Sequence, residues 1–512
     1  MSASAAGAHG QPVVEVSNRP LLIIGIMMAM IMQVLDSTIA NVALPHMQAS
    51  LGATFDSVSW VLTSYILATA IAMPLTGWLS DRFGSRKLFI VSVAGFIITS
   101  MLCGIAVNLP EMVLFRALQG ASAAFVGPLS QTVMLDITPR EQHPKAMAVW
   151  GMGIMVGPIL GPIIGGWLTE NYNWRWIFYI NVPIGVATLA ILIALLPSRP
   201  VRRRAFDLFG FSMLAIGLTA LQLMLDRGQQ EDWLQSWEIR IELGIAIIGI
   251  WLFLVHMATG RRPMFEREML ANRNLFIGLI FMLNIGAILM ATMALLPPML
   301  QAVYGYPVLD TGLMLAPRGI GILISMAIAG QLAGRIDPRV LIGGGMALAA
   351  ISLWWMTHWS LDMDWHPVVW SGVVQGLGLG FIFSSINLAA FATLPPRYRT
   401  DAASLLYLMR NLGASVGISI VTAQLARTVQ TSHELMVGNI TETTLSPINP
   451  HLLEGAGGTG ASLFAMIDNE ITRQATMIGY INDFYLLMIV TLLSIPLVLL
   501  LKRPAPTPGT GR

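Results

Sequence analysis

Gly157-Pro158-Ile159-Leu160-Gly161-Pro162-Ile163-Ile164-Gly165-Gly166 stands inside a long apolar stretch, near 145–168. Each proline removes a backbone donor and bends a helix. The glycines let a second backbone come close, as small residues do between membrane helices. A run built only of Gly, Pro, Ile and Leu describes a bend and a contact face within a membrane span. It points to an exporter rather than a passive membrane protein.

The composition agrees with a membrane protein. Of 512 residues, 55% are hydrophobic and 11% charged, against about 25% charged in soluble proteins. Mean hydropathy is +0.69. The single cysteine, Cys103, excludes an intramolecular disulfide framework and a Cys-x-x-Cys site. Residues 1–18 lack a basic segment followed by an apolar core, so the first span is expected to direct insertion. None of the three lysines, Lys87, Lys145 and Lys502, lies in a G-x-x-x-x-G-K-[ST] loop. None of the eight histidines forms His-Glu-x-x-His. Gly413-Ala414-Ser415-Val416-Gly417 matches G-x-S-x-G, but inside an apolar helical pattern rather than a strand-to-helix turn. Ser415 therefore reads as a packing residue. The expectation is no catalytic residue, no metal site, no cofactor and no nucleic-acid partner.

A spanning helix needs roughly 20 mostly apolar residues. About fourteen such stretches occur, near 20–44, 58–80, 88–107, 112–134, 145–168, 177–197, 206–226, 239–258, 275–299, 309–333, 340–357, 367–393, 402–427 and 480–501. An even number puts both termini on one side. Of the 29 Lys and Arg, 21 fall on one set of alternate loops, 5 on the other and 3 (Arg116, Arg318, Arg410) inside spans. The positive-inside rule then places both termini in the cytoplasm.

The chain also repeats. A shift of 256 residues aligns Asp81 with Asp337, Gln119-Gly120 with Gln375-Gly376, and Phe125 with Phe381. It also aligns Pro139 with Pro395, Gly157 with Gly413 and Gly161 with Gly417. Pro158 and Pro162 meet Ala414 and Ile418, so the prolines belong to the first half alone. The expected organisation is a tail (1–19), a six-span half (20–197), a linker with two inserted spans (198–272), a second six-span half (273–501) with an outer loop at 429–475, and a tail (502–512). Such repeats mark secondary transporters, whose substrate site lies between the halves near the midplane.

Two charged residues stand out inside the first half. A charge at mid-bilayer costs about 2.5–3.5 kcal/mol on insertion scales, so function is the usual reason to keep one. Helix rise places Asp36 on the order of 13 Å, and Arg116 on the order of 9 Å, below the outer ends of their spans. A carboxylate beside an arginine changes its proton affinity when the pair opens, which suits proton coupling; a static buried salt bridge is the alternative. The shift by 256 brings Asp36 onto Thr292 and Arg116 onto Gly372, so coupling belongs to the first half.

Gly77-Trp78-Leu79-Ser80-Asp81-Arg82-Phe83-Gly84-Ser85-Arg86-Lys87 joins spans two and three. Its basic residues obey the positive-inside rule. Asp81 does not, and neither does Asp337 in Gly334-Arg335-Ile336-Asp337-Pro338-Arg339. An Asp at a helix end can hold an arginine or a neighbouring helix N-terminus. Gly77, Asp81, Arg82, Gly84, Arg86 and Asp337 are therefore candidates for a conformational latch, with anchoring alone as the other reading. Candidates for a substrate cavity are Gln33, Asn41, Asn284, Gln301, Arg318, Asn387 and Arg410. The amides could equally join helices, and the arginines could repel cations, bind an anion or hold a backbone carbonyl. The 32 methionines and 14 tryptophans suit an adaptable apolar cavity. In the outer loop, turn signals at 446–450 and 455–460 precede Leu463, Met466, Ile467 and Ile471 at helical spacing. That segment reads either as a docking surface or as a helix lying on the membrane.

These segments resemble the major facilitator superfamily throughout. The run 77–87 is similar to its loop motif, and Leu114-Phe115-Arg116-Ala117-Leu118-Gln119-Gly120 to its span-four motif, whose arginine takes part in proton coupling. Gly153, Gly157, Pro158, Gly161, Pro162, Gly165 and Gly166 match the span-five motif of antiporters. Leu35 to Pro45, Trp174 to Gly185 and Leu225 to Gly228 resemble the fourteen-span drug:proton antiporters, and Ile471 to Gln474 resembles the EmrB-type family of Gram-negative bacteria. The resemblance implies the major facilitator fold with fourteen transmembrane helices, in the bacterial inner membrane. It also implies proton-driven export of amphipathic drugs, with a periplasmic adaptor of the EmrA type and an outer-membrane channel of the TolC type. Arg318 departs from the apolar residue expected there. Rival readings are a dedicated exporter of a metabolite or siderophore, and a transporter-derived receptor or scaffold.

Overall fold

The computed structural model describes residues 14, 16–198, 201, 204–332, 335–438 and 461–502. Among them, fourteen helices are long and apolar enough to cross a membrane. They are α1 (Arg19–Leu51), α2 (Trp60–Phe83), α3 (Ser85–Ile105), α4 (Leu109–Asp136), α5 (Arg140–Asn171), α6 (Trp176–Leu195), α7 (Leu208–Arg227) and α8 (Trp237–Thr259). The remainder are α9 (Arg273–Val303), α10 (Leu309–Leu332), α11 (Pro338–Met356), α12 (His366–Ala392), α13 (Pro396–Gly438) and α14 (Ala465–Leu500). Gly334, the turn signals in the outer loop, and most of both tails lie outside the described residues.

Local sequence sets the helix ends. Asn18 and Asn108 cap α1 and α4, their side chains accepting from the backbone N–H of Leu21 and Glu111. Gly84 turns the chain from α2 into α3 at φ +89°, a conformation that side chains with a Cβ rarely adopt.

The repeat is visible in the packing. Within the halves, α1–α5 has its mate in α9–α13, α2–α4 in α10–α12, and α1–α6 in α9–α14. Between the halves, α5–α10 has its mate in α2–α13, and α4–α13 in α5–α12. Gln131 of α4 donates to Asn387 of α12 at 2.7 Å; the two are 256 residues apart, the same position of the repeat. The inserted α7 and α8 pack on each other where Gly217 faces Gly249. As a pair they break the symmetry, because α7 lies against α2 and α13. Asp226 at the end of α7 accepts from Thr63 of α2.

The outer loop differs from its sequence reading. The helix of α13 continues to Gly438, and helix resumes at Ala461 and runs unbroken into α14. The segment holding Met466, Ile467 and Ile471 is therefore the first part of a spanning helix, not a helix lying on the bilayer. Length explains this: the 43 residues of α13 reach on the order of 64 Å at 1.5 Å per residue, about twice a ~30 Å hydrocarbon core. His433 and Asp468 meet at 3.0 Å and tie the two extensions together.

Candidate functional site: a buried carboxylate and a two-half latch

Asp36 and Arg116 are both fully buried and pair, Arg116 Nη1 lying 2.7 Å from Asp36 Oδ2. Asp36 Oδ1 accepts from Gln119 Nε2 at 2.9 Å and from Asn181 Nδ2 at 2.8 Å. Arg116 is itself fixed three ways. It donates to Gln119 Oε1 at 2.7 Å and to the Val61 carbonyl at 3.1 Å, and it lies 4.2 Å from the Tyr65 ring centroid. Asn181 also donates to Ser100 Oγ at 3.1 Å. Five helices of the first half, α1, α2, α3, α4 and α6, thus meet at one carboxylate. Three donors engage it, two on Oδ1 and Arg116 alone on Oδ2.

Sequence reasoning found the pair and missed the roles of Gln119, Asn181, Tyr65 and Ser100. One signal was available: Arg116 and Gln119, three residues apart, share a helix face.

The second half lacks this chemistry. Thr292, the mate of Asp36, accepts from Arg318 Nη2 at 2.7 Å. A Cβ at Gly372, the mate of Arg116, would stand in ordinary contact with Arg318 Cβ, at 3.5 Å. Arg318 is therefore held between α9, α10 and α12.

The glycine run makes the α1–α5 seam. A Cβ at Gly157 would stand 2.6 Å from Val34 Cγ1 and 2.9 Å from the Leu35 nitrogen; at Gly165 it would stand 2.7 Å from Ile39 Cγ1. Gly153 and Gly161 face Met27 and Thr38, and nothing lies within 4 Å of a Cβ at Gly166. Pro158 and Pro162 lie inside a continuous helix. Lower on α5, Ala148 meets Gly330 of α10 across the two halves, and Gly151 meets Met326. One face of α5 holds the helix that carries Asp36, while its arginine-rich end holds the other half.

At the arginine-rich face the halves are closed. Asp136, ending α4, pairs with Arg399 of α13 at 3.0 Å, both buried. Arg204, in the linker before α7, lies 2.8 Å from Asp401 of α13 and 3.6 Å from Asp81 of α2. Burial works against the Arg204 charge, but Asp401 and then Asp81 outweigh it and raise its proton affinity above the ordinary arginine value. Gly77 faces the Asp401 carboxylate with no room for a Cβ. Arg86 donates to the Ile193 carbonyl at 2.6 Å, within its own half, and Arg82 is exposed. Asp337 caps α11, accepting from the Arg339 N–H at 3.0 Å. The ties between the halves thus run through Asp136 with Arg399, and through Arg204 set between Asp401 and Asp81; Asp81 is one of the sequence candidates, and the other four residues are not. Asp136→Asn should weaken this closure: breaking a buried pair costs about 3–5 kcal/mol. The closed population should fall at least ~100-fold relative to the open one, read as longer spin-label distances between α4 and α13. Unchanged distances would remove this pair from the latch.

Two cavity candidates, Asn387 and Arg410, line a tight recess between the halves with about 10 Å³ of free space, alongside Trp150, Met282, Phe383, Leu406 and Tyr407. Arg410 lies 4.8 Å from the Tyr407 ring centroid, and Trp150 stacks on Phe383 with centroids 6.0 Å apart. The other candidates lie elsewhere. Asn284 donates to Ser494 of α14, which makes it a join between helices. Gln301 and Asn41 are exposed, Gln301 in the last turn of α9. Gln33 is half-buried on α1, and its Oε1 has no hydrogen-bond partner among the described residues. Sequence reasoning gave no hint of Trp150, because one tryptophan among 14 carries no positional signal.

Comparison with known proteins follows the same lines. The Major Facilitator Superfamily model matches residues 26–418. The chain is 37% identical to the multidrug export protein EmrB of Escherichia coli (strain K12), over 96% of this chain and 97% of that protein. It is 36% identical to the fatty acid resistance protein FarB of Neisseria gonorrhoeae, over 94% and 96% respectively. The crystal structure of the human organic anion transporter MFSD10 superimposes with a TM-score of 0.61 at 13% identity, covering 94% of this chain and 99% of that one, a likeness of fold alone. With fourteen spans arranged as two six-helix halves and an inserted pair, the chain is a multi-pass membrane transporter rather than an enzyme, and it belongs to the Major Facilitator Superfamily among the EmrB-type multidrug export proteins.

Proposed function

We propose that this protein is a proton-coupled antiporter that exports amphipathic compounds across the bacterial inner membrane, with both termini in the cytoplasm. The observation that carries the reading is Asp36, fully buried and engaged by Arg116, Gln119 and Asn181. A buried charge held by three donors is a device that protonation unlocks. The positive-inside rule makes the arginine-rich face cytoplasmic, so this closed latch belongs to the state open toward the periplasm. In that state Asp36 takes a proton as substrate leaves. Release of Arg116 and the amides frees α1 against α5, and α5 passes the movement to α10. At ~2.3 kcal/mol per charge per 100 mV, one proton supports a sizeable gradient. The aromatic recess with Asn387 and Arg410 is the core of the substrate site, and it widens on opening.

The extensions of α13 and α14 suit an adaptor of the EmrA type, which would lead on to a channel of the TolC type. They leave Leu435 66% and Met466 69% exposed, apolar anchors beyond the bilayer. In proteoliposomes, an imposed proton gradient should drive dye uptake or release according to its direction. In cells, net extrusion to the medium should also require the adaptor. Flux indifferent to the proton gradient would overturn the antiport reading; flux limited to one metabolite would favour the dedicated exporter.

A further inference from the structure

Asp483 of α14 is fully buried, and neither carboxylate oxygen has a hydrogen-bond partner among the described residues. The Asp36 carboxylate is engaged on both oxygens; this one is engaged on neither. No cation pairs with it among the described residues. The helices packed against α14 are α9, α11 and α13. Arg273 of α9 and Arg339 of α11 stand at the arginine-rich ends, Arg339 donating to the Leu501 carbonyl. On α13, Arg399 and Asp401 are held in the latch, Arg410 lies over Tyr407, and Arg427 is exposed. The titratable neighbour is Tyr480, three residues earlier on the same helix.

An ionised carboxylate in such a place is uncompensated, at a cost of several kcal/mol. The position of the group is equally informative. Seventeen residues of helix place Asp36 on the order of 25 Å from Arg19, and the same number, the last six in a 3-10 helix, place Asp483 on the order of 28 Å from Leu500. Both carboxyls therefore lie at similar depth, one in each half. Tyr480-Ile481-Asn482 also repeats Tyr179-Ile180-Asn181, whose asparagine holds Asp36.

We propose that Asp483 is a second proton-binding carboxyl, in the half that lacks the Asp36 network. The inference rests on the antiport reading. In the closed arrangement described here the group carries its proton as –COOH. When the halves rearrange, the O–H bond breaks, the proton passes to water on the cytoplasmic side, and –COO⁻ remains until a periplasmic proton restores it.

Two measurements test this. Infrared spectra of lipid-reconstituted protein should show a carboxylic-acid C=O band that Asp483→Asn removes and Asp36→Asn leaves in place. The proton-to-substrate ratio, taken from reversal potentials in proteoliposomes, should fall by one in Asp483→Asn. Should that variant fail to fold, Asp483→Glu should shift the band. A band untouched by either substitution would overturn the proposal, and so would a lost band with an unchanged ratio, since the acid would then be permanently neutral. Wild-type flux without any proton dependence would instead sink the antiport reading itself, and the infrared result would still stand alone.

Discussion

Asp36→Asn should abolish proton-driven transport and lower stability together. Asparagine is close in shape, but it leaves the Arg116 guanidinium fully buried with no carboxylate. Removing one partner of a buried pair costs about 3–5 kcal/mol, visible as a lower melting temperature in detergent. Asp36→Asn with Arg116→Gln should recover most of that stability, because the uncompensated charge is gone. It should not recover coupling, since nothing remains to take the proton. This separates the two roles: stability follows the balance of charge, transport follows the titratable group. Full proton-dependent efflux from Asp36→Asn would end the mechanism proposed here.

Gly157→Leu should be nearly as damaging, by a different route. A Cβ there already presses on Val34 and on the Leu35 nitrogen, the residue before Asp36. Overpacking of this kind costs about 1–3 kcal/mol, and α1 answers it by moving. An active group displaced by ~1 Å can lose ~100-fold in rate, so transport should fall by about that factor while insertion continues. Gly166→Leu is the control in the same helix: with nothing within 4 Å of its Cβ, stability should change by no more than about 0.5 kcal/mol. Equal transport in the two variants would reduce the glycine stripe to ordinary packing.

Fourteen spans were legible because each needs a run of apolar residues, a local property of the chain. The Asp36–Arg116 pair was legible for a related reason: charges inside such runs are few. The α1–α5 seam was half legible, since glycine spacing marks a contact face without naming the helix it meets. The latch was legible only in Gly77 and Asp81, which lie at the Arg204–Asp401 tie. Asp136 and Arg399 are 263 residues apart, and each looks like an ordinary charge at a helix end. Asp337, which matches Asp81 in sequence, also caps α11, a role the repeat did not point to. The outer extensions were hidden because their helices turn polar once they leave the bilayer, which reads as loop.

Insertion of α7 and α8 has one further consequence, seen from the lipid. The repeat creates two equivalent seams between the halves, α2–α13 and α5–α10, and α7 roofs the first. The second has no such cover among the described helices. A compound dissolved in the bilayer thus meets one flank where an extra helix covers the seam and one where the packed seam has no such cover.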